Sequence, residues 1–386
     1  MDFQLTSTQT DLQEAARRFA REQLVEVAED IEKTGEALSA DWLKRYAAMG
    51  FLGINVAPQY GGLGLGNLEA LLVLEEFAKI SSAVAFPVFE SSVGPVRAIE
   101  YFANDALKQR IIPKVCAGEL IVAVAMSEPD AGTALTDLKT RAEIQGDKII
   151  LNGNKRWCSG GGHSGAYVVY CKLADTPGAR GIGAVLVEKE RSGVSFGAAE
   201  SLMGFRGIPS ADIYFDNVEV PLDNLIVPAG GFGKLMEAFD LERCGNATMA
   251  LAQAAGALED VLAYVQERRQ FGKELVEFQA VQIKLADMAM RVEAARLLIQ
   301  RAAVNAQSGL PNIFESSTAK CFSNEMAREV TSDAVQLMGG YGYSKQYPME
   351  RRMRDCWGWG IAGGTIDIQK INIAASMIGR RFDQRK

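Results

Sequence analysis

The segment Ile149-Ile-Leu-Asn-Gly-Asn-Lys-Arg-Trp157 indicates that the middle of this chain of 386 residues is built of β-strands. Its apolar first run, the turn pair Asn152-Gly153 and the short run that follows predict a β-hairpin. Runs of similar character predict further strands over residues 166–171, 182–187 and 213–220. With the turn-rich segments between them, these runs predict a middle β domain, a barrel or a sandwich, over residues 121–230.

The sequence on both sides of this β region has helical periodicity. The loop at residues 57–66 separates two predicted helices, and Asn67 is predicted to cap the second. We therefore predict a mainly α protein with a central β domain, in which an all-α domain covers residues 1–120 and a four-helix bundle covers residues 231–386. The seam of that bundle is predicted from apolar residues at alternating steps of four and three: Val281, Leu285, Met288, Val292, Ala295, Ile299 and Ala302.

Composition excludes several classes of function. The formal net charge of −7, without a run of basic residues, argues against binding to nucleic acid or to an anionic membrane surface. The polar N-terminus and the lack of a long apolar stretch predict neither a secretion signal nor a membrane span, so we expect the cytoplasm or an equivalent reducing compartment.

The six cysteines lack pairing or ligand spacing and are expected to be buried thiols. With His163 as the single histidine, expected in an exposed loop, zinc and triad sites needing two imidazoles are excluded.

The segment Ala125-Met-Ser-Glu-Pro-Asp-Ala-Gly-Thr133 places hydroxyl side chains and exposed backbone N–H groups beside a turn fixed by proline. Such a segment suits the polar edge of a ring or a phosphate. Taken alone, it is more typical of a strand followed by an ordinary turn.

This segment resembles the first signature of the acyl-CoA dehydrogenase family, and Gln336-Leu-Met-Gly-Gly-Tyr-Gly-Tyr343 resembles the second. Between them, Arg268-Arg-Gln-Phe-Gly-Lys273 and Phe278-Gln279 resemble the segment that carries the family's flavin-diphosphate arginine. The order α, β, α also matches, so the resemblance spans essentially the whole chain. It implies FAD as cofactor, an acyl-CoA substrate, an electron-transfer flavoprotein as electron acceptor, and a homo-oligomer, usually a tetramer.

The resemblance assigns residues to the cofactor. Met126 and Ser127 resemble residues that line the flavin ring, Trp157 and Ser159 resemble those that back it, and Arg268 resembles the diphosphate ligand, a contact that crosses a subunit interface in the family. Without the family, a core tryptophan, a solvated arginine and a helix-terminal glycine are the alternatives. The remaining members of the implied cofactor set are Thr133, which resembles a position on the CoA side, Phe271, Gln279, Gln336, Gly340 and Thr365.

Three charged residues are implied on the substrate side. Asp240 and Arg243 resemble a pair near the CoA moiety, although a surface ion pair on a helix is an equal alternative. Glu90 resembles a position near the distal end of the acyl pocket. There it is either a second proton acceptor, for an unusual 1,4-type elimination, or a hydrogen-bonded floor of the pocket.

The catalytic base is where the sequence departs from the family. Removal of a proton next to a thioester carbonyl requires a carboxylate whose pKa is raised by burial. Most members carry this glutamate just before Gly-Thr in a late loop, but Gly363 stands at that position here. Glu242 resembles the helix placement of isovaleryl- and long-chain-type members, so it is the candidate base, while the N–H of Gly363 is expected to polarise the carbonyl. A helix-start carboxylate stabilised by the macrodipole is the alternative for Glu242, and Asp367 is a second candidate base.

The implied reaction is FAD-dependent α,β-dehydrogenation of an acyl-CoA, with a branched or cyclic acyl group favoured. Ala134 and Gln346 also depart from the two signatures, where acidic residues are usual. A side branch of acyl-CoA desulfinases is similar in the Gly363-Gly-Thr365 turn and around Phe205-Arg-Gly-Ile-Pro209. That branch also lacks the helix base, whereas Glu242 is present here, and Phe86 stands near the position of the branch's sulfinate-binding arginine. Non-redox elimination and an inactive flavin-binding or assembly protein on the same fold are the alternatives.

Overall fold

A computed structural model describes residues 4–306 and 308–382. Met1–Phe3, Gln307 and residues 383–386 lie outside the described residues. Met1–Phe3 belong to the N-terminal segment from which we predict that there is no secretion signal. The outer ends of the first and last predicted domains are likewise not covered. Within the described residues, no helix has both the length and the apolar character needed to cross a membrane.

The N-terminal part of the chain is helical, as the sequence predicts. Its aromatic core brings Phe19, Tyr46, Phe51 and Phe77 together with ring centroids 5.0 to 5.8 Å apart. The prediction that Asn67 caps a helix is wrong, because Gly66 is the cap and the buried Asn67 side chain donates to the carbonyl oxygen of Gly309. The helices are α1 Ser7–Gln23, α2 Val25–Thr34, α3 Ala40–Ala48, α4 Asn67–Ile80, α5 Ser82–Ser92, α6 Val96–Phe102 and α7 Asp105–Cys116.

The middle of the chain forms a mainly antiparallel sheet in the order β6-β7-β3-β2-β4-β5-β8, with β1 parallel to β4. Successive residues of β4 point to two different cores, since Tyr167 and Val169 pack among strands while Val168 and Tyr170 pack against helices. The strands are β1 Val122–Ala125, β2 Arg141–Gln145, β3 Lys148–Ser159, β4 Ala166–Lys172, β5 Ile182–Glu188, β6 Val194–Phe196, β7 Ser210–Pro221 and β8 Leu225–Val227.

The predicted hairpin turn at Asn152-Gly153 is wrong. Strand β3 runs continuously through both residues, and the turn that joins β2 to β3 lies at Gly146-Asp147. The register of β3 against β7 instead shifts between Leu151 and Gly153, so this glycine marks a β-bulge within a strand.

The C-terminal part is a helical bundle, in agreement with the predicted fold. Helix α10 packs against α8, α9 and α13, and all but the half-buried Val281 of the predicted seam on α9 are buried. The elements are α8 Phe232–Glu267, β9 Arg269–Gln270, β10 Lys273–Glu274, α9 Gln279–Val304, α10 Ile313–Met338, α11 Gly340–Tyr343, α12 Met349–Trp359 and α13 Ile366–Ile378.

Candidate active site

One face of helix α8 carries Asp240 and Arg243, which form an ion pair. Their side chains are only 7% exposed, so the surface-pair alternative is wrong. The hydroxyl of Ser316 on α10 also donates to Asp240 at 2.6 Å. Burial raises the pKa of Asp240, although the charge of Arg243 and these hydrogen bonds act in the opposite direction. This end of α8 therefore holds a charge pair that is organised by the fold.

Glu242 lies between these two residues on α8. Burial raises the pKa of its carboxyl to about 8, while the positive charges of Lys320 and Arg243 act to lower it. The alternative that the macrodipole stabilises Glu242 as a helix-start carboxylate is wrong, because α8 begins at Phe232, about three turns earlier, and the dipole effect is confined to the first turn. A carboxyl whose pKa lies near neutrality can both accept and release a proton.

The turn that carries Gly363 lies against the same helix. A Cβ atom at Gly363 would lie 3.4 Å from the ring of Phe239, which stands one turn before Glu242 on α8. Gly363 and Gly364 both have positive φ angles, of 66° and 84°, which favour glycine. The Thr365 hydroxyl caps α13 by accepting from the N–H of Ile368 at 3.4 Å, and Asp367 is exposed in the first turn of α13.

Glu90 on α5 is a second buried carboxyl of this region. Burial and, secondarily, the charge of Glu242 raise its pKa well above the ordinary value. Its Oε2 atom has no hydrogen-bond partner among the described residues. Glu90 also lines a narrow cavity with Leu43, Leu52 and Leu120. It is thus an acid with unused hydrogen-bonding capacity.

The segment Met126-Ser127 is held from behind by a buried lysine. Lys155 Nζ donates to the carbonyl oxygen of Met126 at 2.9 Å and to Glu128 Oε1 at 2.8 Å. The carbonyl oxygen of Ser127 accepts from the N–H of Arg156 at 2.9 Å. The main chain of the segment is therefore fixed, while both side chains remain partly accessible and Thr133 is exposed.

Trp157 turns away from the regular path of β3. Its φ angle is 62°, and the register against β7 shifts between Lys155 and Cys158. The ring is 52% exposed and packs under the guanidinium of Arg156, 4.3 Å from the ring centroid. In a regular strand, residues two apart point to the same face of the sheet. The bulge at Trp157 interrupts this alternation, so Trp157 and the half-buried Ser159 are not bound to share one face.

The other residues assigned to the cofactor lie at one end of the helical bundle. Arg268 caps α8 and packs over Tyr341, 5.6 Å from the ring centroid, and Phe271 is 94% exposed. The structure brings this group together within one chain, but in the described residues no hydrogen bond or ion pair joins it to Met126, Ser127, Trp157 or Ser159. The further members of the bundle-end group are Gln279, Gln336 and Gly340, all exposed.

Among the described residues next to the candidate site, sequence reasoning missed three buried charged ones, Lys155, Glu128 and Lys320. Nothing in the sequence distinguishes Lys155 from a solvated residue of a strand. A signal did exist for Lys320, because Ser316, Lys320 and Asn324 follow a helical repeat on the buried face of α10.

The similarity of this chain to known proteins extends over nearly its whole length. Family models described as the acyl-CoA dehydrogenase N-terminal, middle and C-terminal domains match residues 6–119, 123–218 and 229–378. The 3-sulfinopropanoyl-CoA desulfinase of Paraburkholderia xenovorans is 36% identical over 389 residues, covering 100% of this chain and 99% of that protein. The butyryl-CoA dehydrogenase structure from Megasphaera elsdenii is 32% identical, with a TM-score of 0.93 over 98% of this chain and 100% of that one. The FAD complex of PigA is 29% identical, with a TM-score of 0.92 over 98% and 99%.

Proposed function

The chain belongs to the acyl-CoA dehydrogenase family with FAD as its cofactor, and we propose that it oxidises the α,β carbon pair of an acyl-CoA thioester. In this proposal Glu242 removes the α-proton and the pair of electrons from the broken Cα–H bond forms the double bond. FAD, when bound, supplies the acceptor for the β-hydrogen, which leaves with its electron pair as hydride. The product is a 2-enoyl-CoA.

The observation that carries the proposal is the half-buried Glu242 on α8, whose carboxyl has a pKa of about 8 and suits a general base at neutral pH. Lys320 links this carboxyl to the glycine turn, since it lowers the pKa of Glu242 and bonds to the carbonyl oxygen of Gly363 at 2.7 Å. A substrate carbonyl beside Gly363 would place its α-carbon near Glu242. We therefore assign this chain to the subgroup with its base on the helix.

The residues present fit FAD. In the described part of the chain Arg268 forms no ion pair, so its guanidinium is available to two phosphate oxygens. A Cβ atom at Gly340 would meet nothing within 4 Å, which leaves room for a ligand beside the backbone. We propose that the bundle-end group binds the diphosphate and adenosine half, and that Met126, Ser127, Trp157 and Ser159 contact the ring, with Thr133 towards the CoA.

Assembly of two chains would explain why the bundle-end group is not joined to Met126, Ser127, Trp157 and Ser159 within one chain. We propose a homo-oligomer, with a tetramer as the expected form. Support comes from helix α9, where four exposed apolar side chains recur every seven residues: Ile283, Met290, Leu297 and Val304 are 64%, 63%, 37% and 66% exposed. Met290→Glu should lower the mass measured by sedimentation, whereas Glu26→Gln on α2 should not; an unchanged mass for Met290→Glu would contradict this interface.

For the acyl group we propose an uncharged, branched or cyclic chain. The buried Glu90 carboxyl has its pKa raised by burial and, secondarily, by the charge of Glu242, without an opposing cation. An anionic acyl group buried beside Glu90 would carry the cost of an unpaired charge, since no cation acts on this carboxyl. An electron-transfer flavoprotein is the proposed acceptor of the electrons.

Non-redox elimination is the second candidate function, and the 36% identity to a desulfinase favours it. A sulfinate, however, is an anion and would lie near Glu90, on which no cation acts. The deciding experiment is an anaerobic titration of the purified protein with straight, branched, cyclic and acid-bearing acyl-CoAs while the visible flavin band is followed. Bleaching by one class supports dehydrogenation and identifies the acyl class.

Two other outcomes would reject the proposed reaction. A flavin band that shifts with 3-sulfinopropanoyl-CoA but bleaches with no acyl-CoA would favour elimination, with release of sulfite as the positive assay. A protein that does not retain FAD through purification, and does not take it up when it is added, would favour an assembly or binding role on the same fold.

A further inference from the structure

Lys320 on α10 is a fully buried lysine whose two side-chain hydrogen bonds go to the turn that carries Gly363. It is 0% exposed, and in the described residues it forms no ion pair. Its Nζ atom donates to the carbonyl oxygens of Ala362 at 2.5 Å and of Gly363 at 2.7 Å. Burial lowers the pKa of Lys320 well below the usual range, with a further lowering from Arg243 and an opposing effect of Glu242.

The same turn is held by other buried donors, and always through its carbonyl groups. Asn246 Nδ2 donates to the carbonyl oxygens of Trp359 at 3.1 Å and Ala362 at 3.4 Å. Gln369 Nε2 donates to that of Gly364 at 2.9 Å. In contrast, the N–H groups of Gly363 and Gly364 donate no hydrogen bond within the described residues. The turn is therefore anchored on its carbonyl side, and its N–H side is available to a ligand.

The cost of burying a lysine indicates what this residue contributes. A methionine would fill much the same volume without the free-energy cost of removing an amine from water. What the lysine adds is a pair of hydrogen bonds that fix two successive peptide units. It adds them beside Glu242, whose carboxyl is close enough for the two charges to affect each other.

We propose that Lys320 is a positioning residue that holds the Ala362-Gly363 peptide units so that the N–H of Gly363 meets the thioester carbonyl within reach of Glu242. The inference rests on the proposed function, because it assigns the turn to the carbonyl of the substrate. It also makes one prediction independent of turnover: Lys320 should matter for ligands that have the thioester carbonyl and not for those that lack it.

The test compares two ligands by calorimetric titration of the FAD-loaded protein. One is a 2-enoyl-CoA, which retains the carbonyl, and the other is the alkyl-CoA thioether of equal length, which lacks it. For Lys320→Met we expect affinity for the enoyl-CoA to fall about tenfold while affinity for the thioether is unchanged, with kcat falling about 100-fold, as expected when an oxyanion donor is misplaced. The control is Ser323→Ala, which lies on the same helix, is equally buried and has a hydroxyl without a partner.

If both ligands lose affinity equally, or neither does, Lys320 has only a structural role and the proposal is overturned. If Lys320→Met does not fold, Lys320→Gln replaces it, since its shorter amide keeps a donor but cannot reach both carbonyls. A protein that bleaches with no acyl-CoA would reject the proposed function, yet the difference between the two ligands would still decide whether Lys320 positions the turn.

Discussion

Two lysines, Lys155 in strand β3 and Lys320 in helix α10, are equally hidden from solvent but have different partners. Lys155 pairs directly with Glu128 at 2.8 Å, and Glu128 also accepts from the N–H groups of Lys139 and Thr140. Lys320 lies in the same region as Glu242 and Arg243 but bonds only to backbone carbonyl groups. The first cluster is complete within the protein, and the second is not.

The carboxyls of the two clusters respond accordingly. Burial favours a higher pKa for Glu128, but the charge of Lys155 and the hydrogen bonds it receives lower that pKa overall. At the other cluster burial prevails, raising the pKa of Glu242 to about 8 and that of Glu90 well above its usual range. A satisfied buried cluster stabilises the fold, whereas an unsatisfied one keeps hydrogen-bonding and proton-transfer capacity for a ligand.

The largest effect expected from this difference is on the reaction itself. Glu242→Gln keeps the shape of the side chain but removes the base, so flavin reduction by the acyl-CoA that bleaches the parent should slow by about 10⁴-fold. Binding of acyl-CoA, measured by the shift of the flavin band, should be nearly intact. The control is Asp367→Asn, at the exposed start of α13. Retained reduction in Glu242→Gln would move the base to Asp367 or Glu90.

The second effect is on stability. Lys155→Met leaves Glu128 buried without its counter-ion and should lower the free energy of unfolding in urea by about 3–5 kcal/mol. The double variant Lys155→Met/Glu128→Gln should recover part of this loss. Lys320→Met breaks no ion pair and should cost less. Equal losses for the two single lysine variants would contradict the distinction between the clusters.

The fold could be predicted because it depends on regular patterns. The α, β, α order and the packing seam on α9 follow from hydrophobic periodicity, which the structure confirms. The hairpin prediction at Asn152-Gly153 was wrong because a glycine bulge within a long strand has the same local sequence as a turn. Likewise, asparagine is a common helix cap, but the hydrogen bonds of Asn67 with Asn55 and Gly309 determine where its side chain lies.

The candidate site was less predictable, since its chemistry depends on burial. The sequence identifies Glu242 and Glu90 as candidates by resemblance, but it contains no information on the missing partner of the Glu90 carboxyl. Nor does it indicate that two lysines are buried, or that the Asp240–Arg243 pair is inside the protein. These properties arise from contacts between residues that are distant in sequence, such as Lys320 with Gly363.

A third effect is a dependence of stability on pH. The Glu242 carboxyl titrates near 4.5 in an unfolded chain and near 8 in the folded one, so the folded state holds more protons between these values. Stability should therefore fall as pH rises from about 4.5 to about 8. Glu242→Gln lacks this loss and should gain on the parent by up to about 1.4 kcal/mol per pH unit. Urea unfolding at several pH values measures the difference, and a constant difference would show that the pKa of Glu242 is not raised.

The smallest effect concerns Glu90, and it compares an unpartnered carboxyl of the second cluster directly with the paired carboxyl of the first. Burial and, secondarily, the charge of Glu242 raise its pKa and so favour the neutral carboxyl, and Glu90→Gln, which keeps a neutral side chain of similar shape, should change the free energy of unfolding by less than about 1 kcal/mol. Glu90→Leu removes the unpartnered Oε2 atom and should stabilise the protein by about 1 kcal/mol, whereas Glu128→Leu strands Lys155 and should destabilise it. If Glu90→Leu were as destabilising as Glu128→Leu, the Glu90 carboxyl would be satisfied in the folded protein, and its assignment to the acyl group would lose its physical basis.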